Sequence, residues 1–343
     1  MGAYRQERRR AVIVGAGLSG LTTAGALLRL NPRWQGSDIV IVEAAPMVGG
    51  RLFTEQIGAA VFDHGAQFFT VRSAEFELAV DHWTRAGLVG EWCRGFTVVD
   101  GYPRYRANAG MQSLAIHLAG ELTTAGVEIL PSTAVRSVSP DPAGQGWTVT
   151  VEAGDRQSLE TDAVVLTPPA PFSAALIRQG GAPIDPEVLS VLDGVGCHRV
   201  LALLAVVDRP AALPPPGAHQ QPDDPTFSFI ADNQAKGVSG VPAVTFHTAH
   251  QRSAELWEEA DDVILATLLP EVTKVVAPAR TLELQLRRWP CSGPVNPHPD
   301  PYLELTRTPG PLIVAGDGFG PSKVEGAYLS GLAAARAVAA DQS

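Results

Sequence analysis

The chain is poor in cysteine, lysine and aromatic side chains, and each shortage closes off a class of protein. Three cysteines in 343 residues, Cys93, Cys197 and Cys291, stand far apart and form no CxxC pair. So sparse and odd a set excludes a disulfide framework or a cysteine-based zinc site, and it predicts reduced thiols in a cytoplasmic protein. Of 26 basic residues three are lysines, Lys236, Lys274 and Lys323, and the formal net charge is -10. That balance argues against nucleic acid, whose phosphates need a basic surface. An anionic small molecule stays compatible, because a local arginine cluster can overrule the global balance. Metal-ligand patterns are missing: His247 and His250 have neither a third ligand nor an HExxH motif beside them. A GxSxG elbow for a serine nucleophile, internal repeats and coiled-coil heptads are missing too.

A membrane span is also disfavoured. The stretch Ala11 to Leu28 follows Arg8-Arg9-Arg10 and carries no charge, so it invites reading as a signal peptide or a short span. It contains Gly15, Gly17, Gly20 and Gly25, placed as a βα turn would have them, and the soluble reading is preferred. Met1-Gly2 lacks the Ser or Thr at position 6 that myristoylation prefers, which argues against a lipid anchor. With 45% apolar and 18% charged residues, the chain has the composition of a globular protein of two domains or one large α/β domain.

What is present begins at the N-terminus. Ala11-Val12-Ile13-Val14 is a fully apolar run, the pattern of a strand buried on both faces of a parallel sheet. Gly15-Ala16-Gly17-Leu18-Ser19-Gly20 follows, then a helix over Leu18 to Leu30 stopped by Asn31-Pro32, then a strand from Asp38 to Glu43. This is one βαβ unit opened by a glycine loop. Its helix N-terminus offers free N–H groups and positive dipole to a diphosphate. Glu43 closes the second strand 23 residues after Gly20. A carboxylate there accepts ribose hydroxyls and repels a 2′-phosphate, so NADP does not suit this loop. Gly49-Gly50-Arg51 adds a close backbone approach and a cation for a phosphate or for the flavin loop. Near the C-terminus, Leu312 to Asp317 is again a buried strand, ending in Gly316-Asp317, where an acid can bind ribityl hydroxyls. The Ala-rich helix that follows, Lys323 to Ala339, can aim its N-terminus around Val324 at the electron-accepting edge of a flavin. Together these features predict bound FAD, with Gly15, Gly17, Leu18, Ser19, Gly20, Glu43, Gly50, Arg51, Gly316 and Asp317 in contact with it.

The middle of the chain differs in texture. Thr133 to Ser139, Trp147 to Glu152 and Ser158 to Asp162 read as an antiparallel meander, and Ala163 to Thr167 as a buried parallel strand. Beyond residue 171, Val200 to Val207, Thr226 to Ala231, Ala243 to Thr248 and the alternating Thr281 to Arg287 read as strands of a second sheet. Ala254 to Val276 reads as helix broken at Pro270. The predicted class is α/β, with a Rossmann-type FAD-binding domain over 1–72, 104–170 and 290–343. A mixed α+β substrate domain over 73–103 and 171–289 is inserted into it.

With Gly49-Gly50-Arg51 added to the glycine loop, the chain resembles the flavoprotein superfamily of monoamine oxidases and phytoene desaturases. Asp63-His64-Gly65-Ala66-Gln67-Phe68-Phe69-Thr70-Val71-Arg72 is similar to a signature of the bacterial renalase-like family. Gly110-Met111-Gln112-Ser113-Leu114, Arg288-Trp289 and Val324 to Ala334 match that family too. The resemblance implies a p-hydroxybenzoate hydroxylase-like fold and non-covalent FAD. It implies an oxidase that takes hydride from the 2- or 6-dihydro isomers of NAD(P) at flavin N5, with dioxygen as final acceptor and hydrogen peroxide as product. It also implies FAD contacts from Gly65, Ala66, Gln67, Phe68, Val135, Val324, Glu325 and Ala327. Lys323 and Phe246-His247 depart from the pattern of close bacterial relatives.

Hydride transfer needs alignment more than acid–base groups, so few titrating residues are expected at the reacting centre. Gln67, an amide in a glycine-flanked segment, can both donate to and accept from a substrate carboxamide. If Phe246 faces the core, His247 faces the other way, either toward substrate or as a satisfied sheet histidine. Trp289 either walls the pocket or simply packs. Cys291 is a weak candidate for a covalent flavin bond. The competing readings are an amine oxidase or desaturase-like enzyme, and a flavin-binding module without turnover.

Overall fold

A computed structural model describes residues 8–96, 99–153 and 156–340, so the Met1-Gly2 pair lies outside the described residues. The strands are β1 (Arg9–Val14), β2 (Ile39–Val42), β3 (Thr54–Ile57), β4 (Ala60–Asp63), β5 (Val89–Gly95), β6 (Val99–Ala107), β7 (Glu128–Leu130), β8 (Ala134–Pro140) and β9 (Trp147–Ala153). They continue with β10 (Arg156–Leu166), β11 (His198–Val207), β12 (Ala218–Gln220), β13 (Phe227–Asp232), β14 (Ala243–Thr248), β15 (Thr281–Gly293), β16 (Leu303–Thr306) and β17 (Leu312–Val314). The helices are α1 (Leu18–Leu30), α2 (Ala74–Arg85), α3 (Gln112–Thr124), α4 (Ala170–Gly180), α5 (Pro186–Val195), α6 (His250–Leu256), α7 (Asp261–Val276) and α8 (Lys323–Ala340). The chain divides into two compact units, 1–50 with 115–197 and 293–343, and 51–114 with 198–292.

The first unit is built on a sheet ordered β16-β17-β10-β1-β2-β7, with β9 and β8 continuing from β10. β1 lies parallel to both β2 and β10, and β10 parallel to β17. Strands so enclosed must be apolar on both faces, and Ala11, Val12 and Ile13 of β1 and all of β2 are buried. One strand corrects the sequence reading. Ser158–Asp162 and Ala163–Thr167 are not separate elements, because both fall in β10, except that Thr167 lies just past its end. This strand pairs antiparallel with β9 at its start and parallel with β1 at its end. The change of neighbours, invisible to local pattern, makes one strand look like two.

The second unit holds a five-stranded sheet ordered β12-β13-β14-β11-β15 and the hairpins β3-β4 and β5-β6. Leu201, Leu203, Val244 and Phe246 on one face of the sheet pack against Ile264, Leu268 and Val272 of α7. Pro270 does not break that helix. It sits on the exposed side with Ala266 exposed one turn earlier, so the carbonyl deprived of a partner is solvated. The interruption lies between Leu256 and Asp261 instead.

The expectation of three reduced thiols is corrected. Cys197 and Cys291 are disulfide-bonded and Cys93 is free. Cys197 immediately precedes β11 and Cys291 lies near the end of β15, and these strands neighbour each other in the sheet. Distance along the chain concealed that adjacency.

The segments 51–72 and 104–114, read from sequence with the FAD-binding part, cluster with the second unit. β4 accounts for part of this, since Ala60 and Phe62 pack on Leu204 and Ala243. Among the described residues no helix is long and apolar enough to cross a membrane.

Candidate functional site

In the first unit the glycine loop has the geometry its spacing requires. Gly15 has φ +100°, and a Cβ on Gly20 would lie 2.0 Å from the Gly15 carbonyl oxygen, so both positions demand glycine. Gly17 is different: a Cβ there would meet no atom within 4 Å. It is the N-cap of α1 and supplies no side-chain cap, so the space before the helix N-terminus is open. The Ser19 hydroxyl in the first turn is buried with no hydrogen-bond partner. An anion in front of the helix supplies what both observations lack, an acceptor for that hydroxyl and for the first-turn N–H groups. Leu18, one residue on from the N-cap, is buried.

Glu43 is drawn against the loop. Its Oε2 accepts from the Ala16 N–H and its Oε1 from the Ala45 N–H, both at 2.8 Å. Gly50 has φ +53°, and a Cβ on it would stand 3.4 Å from the Gly17 α-carbon. Gly49 donates to the Ala16 carbonyl at 2.9 Å. Gly15, Gly17, Ser19, Gly20, Glu43 and Gly50 are thus gathered around one helix end. Gly316 donates to Ser330 Oγ of α8 at 2.8 Å, and Asp317 beside it is buried. α8 itself lies against α1, where a Cβ on Gly331 would fall 2.4 Å from the Ser19 carbonyl oxygen. That close crossing ties the C-terminal strand and helix to the loop. Val324 and Glu325 are buried in the first turn of α8 and Ala327 is half-buried in the next. Val135 lies in β8, opposite Val151 of β9. Sequence reasoning missed Ser330 and also Thr167, whose hydroxyl donates to the Val14 carbonyl at 2.7 Å and abuts Gly15.

The second unit organises the stretch from Asp63 to Phe68. Arg51 grips it through its backbone: its carbonyl accepts from Ala66, and a Cβ on Gly65 would lie 2.1 Å from that oxygen. The His64 carbonyl accepts from Trp289 Nε1 at 2.8 Å and bonds His247 Nε2 at 3.0 Å. A carbonyl can only accept, so His247 carries its proton on Nε2, and burial pushes its pKa down to about 4. Phe246 is fully buried on the opposite face, as the alternation of β14 predicted. Trp289 and His247 therefore both act on the same peptide group. The His64 ring lies between Phe53 and Trp289, its nitrogens unbonded, and burial lowers its pKa to about 4 as well.

Gln67 is buried, and its Nε2 donates to the carbonyls of Asp63 at 2.6 Å and Gly65 at 3.3 Å. Its Oε1 faces Lys236 Nζ at 3.4 Å. Lys236 in turn pairs with Asp63 Oδ2 at 2.7 Å, both side chains wholly buried. Asp63 Oδ1 accepts from Thr54 Oγ1 and from the Met111 N–H. Lys236 has only donors, so this contact also fixes which end of the Gln67 amide is oxygen. Sequence reasoning registered Lys236 only as a scarce residue type. Phe68 stacks toward Phe229, and Phe96 and Trp92 complete an aromatic cluster.

The model of the NAD(P)-binding Rossmann-like domain matches residues 13–84, and that of the flavin containing amine oxidoreductases matches residues 73–339. The chain belongs to the flavin containing amine oxidoreductase family. Solved structures agree on the fold. A protein from Exiguobacterium sp. 255-15, provisionally named a protoporphyrinogen oxidase, is 13% identical with TM-score 0.74, over 98% of this chain and 100% of its own. Putrescine oxidase bound to putrescine is 15% identical with TM-score 0.65, covering 97% and 99%. Cyclohexylamine oxidase from Brevibacterium oxydans IH-35A is 15% identical with TM-score 0.65, covering 98% and 100%.

This flavin amine oxidoreductase is therefore a two-domain α/β flavoprotein with FAD as its cofactor. The open helix end and the orphaned Ser19 hydroxyl fit that cofactor's diphosphate. Cys291, engaged in a disulfide, has no thiol for a flavin bond.

Proposed function

We propose that the chain oxidises isomeric dihydronicotinamides, taking hydride from the 2- or 6-dihydro forms of NAD(P), releasing NAD(P)⁺ and reducing dioxygen to hydrogen peroxide. FAD supplies the two-electron acceptor at its N5 atom. Gly15, Gly17, Leu18, Ser19, Gly20, Glu43, Gly50, Arg51, Val135, Gly316, Asp317, Val324, Glu325 and Ala327 would hold it, with Gly65 to Phe68 beside the ring that accepts the hydride.

The observation that carries this reading is the neutrality of the Asp63–Phe68 segment. Asp63 commits both oxygens to Thr54, Met111 and Lys236, so an ammonium group finds no spare carboxylate there. A planar carboxamide finds better partners. With Nε2 donating to His64, His247 keeps Nδ1 as an acceptor for an amide N–H. Gln67 Oε1 keeps a second lone pair, and Phe68 and Phe229 offer flat apolar faces. His247, neutral at pH 7, orients rather than exchanging protons, which suits hydride transfer.

A second reading, amine oxidation, is favoured by the family itself and by neighbours that include putrescine and cyclohexylamine oxidases. Anaerobic mixing separates the two. The flavin-loaded protein should lose its visible absorption on meeting 2- or 6-dihydro-NAD and respond weakly to ordinary NADH. Rapid bleaching by amines with none by the isomers would replace the first reading with the second.

A further inference from the structure

We infer that Arg106, beside the Lys236–Asp63 pair, is a recognition site for an anionic group of the substrate, a phosphate or a carboxylate. Arg106 lies on β6 opposite Gly90 of β5. Its guanidinium rests against the turn after Lys236, where a Cβ on Gly237 would be 2.9 Å from Nη2. Gly237 also has φ +80°, so glycine suits the turn's backbone as well as leaving room for the cation.

The charges around Arg106 do not balance. Its side-chain partner is the neutral Asn108, through Nη1 at 3.1 Å, and among the described residues no carboxylate pairs with it. The other arginines of the same hairpin are paired, Arg94 with Glu91 and Arg104 with Asp100. The near carboxylate, Asp63, is spent on Lys236. Two cations thus share one anion. Burial depresses the pKa of both, and Arg106 raises the cost of the Lys236 charge where Asp63 lowers it. Arg106 is half-buried, accessible to a ligand yet partly stripped of water. One of its five N–H donors is used on Asn108, leaving the rest of a planar fork that suits two oxygens of an oxyanion.

The surroundings suit a molecule with a ring and an anionic tail. Lys236 Nζ stands 5.1 Å from the Trp92 ring centroid, and Trp92 meets Phe96, which meets Phe68 and Phe229. A chain of net charge -10 repels anions at long range, so a local positive excess is what an anionic substrate requires. Identifying the anion with the diphosphate of a dihydronicotinamide dinucleotide rests on the proposed function. The anion site itself does not.

Calorimetric titration of the flavin-loaded protein with inorganic pyrophosphate, and separately with benzoate, tests the site without turnover. Arg106→Gln should weaken binding about tenfold or more, Arg106→Lys should retain part of it, and Arg94→Gln should change nothing. Loss of pyrophosphate binding alone assigns a phosphate group; loss of benzoate binding alone assigns a carboxylate. Wild-type protein that binds neither anion, or an Arg106→Gln variant that binds both like wild type, overturns the inference. Kinetics then test its link to function. Arg106→Gln should raise KM for 6-dihydro-NAD and leave that for the phosphate-free dihydronicotinamide riboside unchanged. If neither compound is oxidised, the proposed function fails while the titration still judges Arg106.

Discussion

His64 serves through its backbone and is a liability through its ring. Its carbonyl anchors the segment by accepting from Trp289 and His247, while its imidazole is buried with both nitrogens unbonded. With a native pKa near 4 against an ordinary 6.5, the unfolded chain binds a proton in that window that the native ring refuses. Stability should therefore fall as pH drops from 6.5 toward 4, by about 3 kcal/mol for one such histidine. His64→Leu keeps the carbonyl and removes the ring, so urea denaturation should show a shallower pH slope and no loss of stability at pH 7. An unchanged slope would mean that His64 is not held neutral. None of this was legible beforehand, since the sequence marked His64 only as part of a family-like stretch. His247 was half legible: alternation put it opposite Phe246, but not on the His64 carbonyl. The Lys236–Asp63 pair joins positions 173 apart, and Lys236 lies in a turn without periodicity, so no local signal could have announced it.

Elements were legible where their apolar pattern or glycine chemistry was local. β1, α1, β2 and β14 follow the sequence reading closely, because burial on both faces and helix capping leave marks within a few residues. The hairpin β5-β6 was not foreseen: Glu91, Arg94, Arg104 and Arg106 spoil the alternation, and most of their neighbours are only half-buried. The glycine loop contains two kinds of glycine, which the motif alone does not separate. Gly20→Ala drives a methyl into the Gly15 carbonyl and should cost roughly 1–3 kcal/mol of stability. Gly17→Ala meets nothing in the protein and should leave the melting of the FAD-free protein within about 1 kcal/mol of wild type. Its methyl would occupy the space before α1, so FAD affinity should fall even though the fold is intact. Thermal melts and FAD titrations on both variants check this. A Gly17→Ala protein with wild-type affinity would place the diphosphate elsewhere.

At the scale of the molecule, both units are assembled from segments far apart in sequence, and the candidate cofactor site proposed in the first would depend on this. The glycine loop and Glu43 come from the first fifty residues, whereas Gly316, Asp317 and α8 come from the last fifty-one, 293–343. The return of the chain to a buried parallel strand at its end was readable, because β17 repeats the pattern of β1. Unit boundaries were less so, because residues 51–72 are held by long-range bonds to strands from beyond residue 198. A ligand that touches both ends of the chain stabilises only the folded arrangement. Free FAD at one hundred times its Kd should thus add about 2.7 kcal/mol to the unfolding free energy of FAD-free protein. Asp317→Ala tests whether the carboxylate of the C-terminal segment takes part. If Asp317 binds the cofactor, the variant should gain less stability than wild type from the same FAD concentration, each measured against its own FAD-free unfolding, by about 1.4 kcal/mol for each tenfold loss in affinity. Equal stabilisation of both proteins would take the Asp317 carboxylate out of the cofactor site.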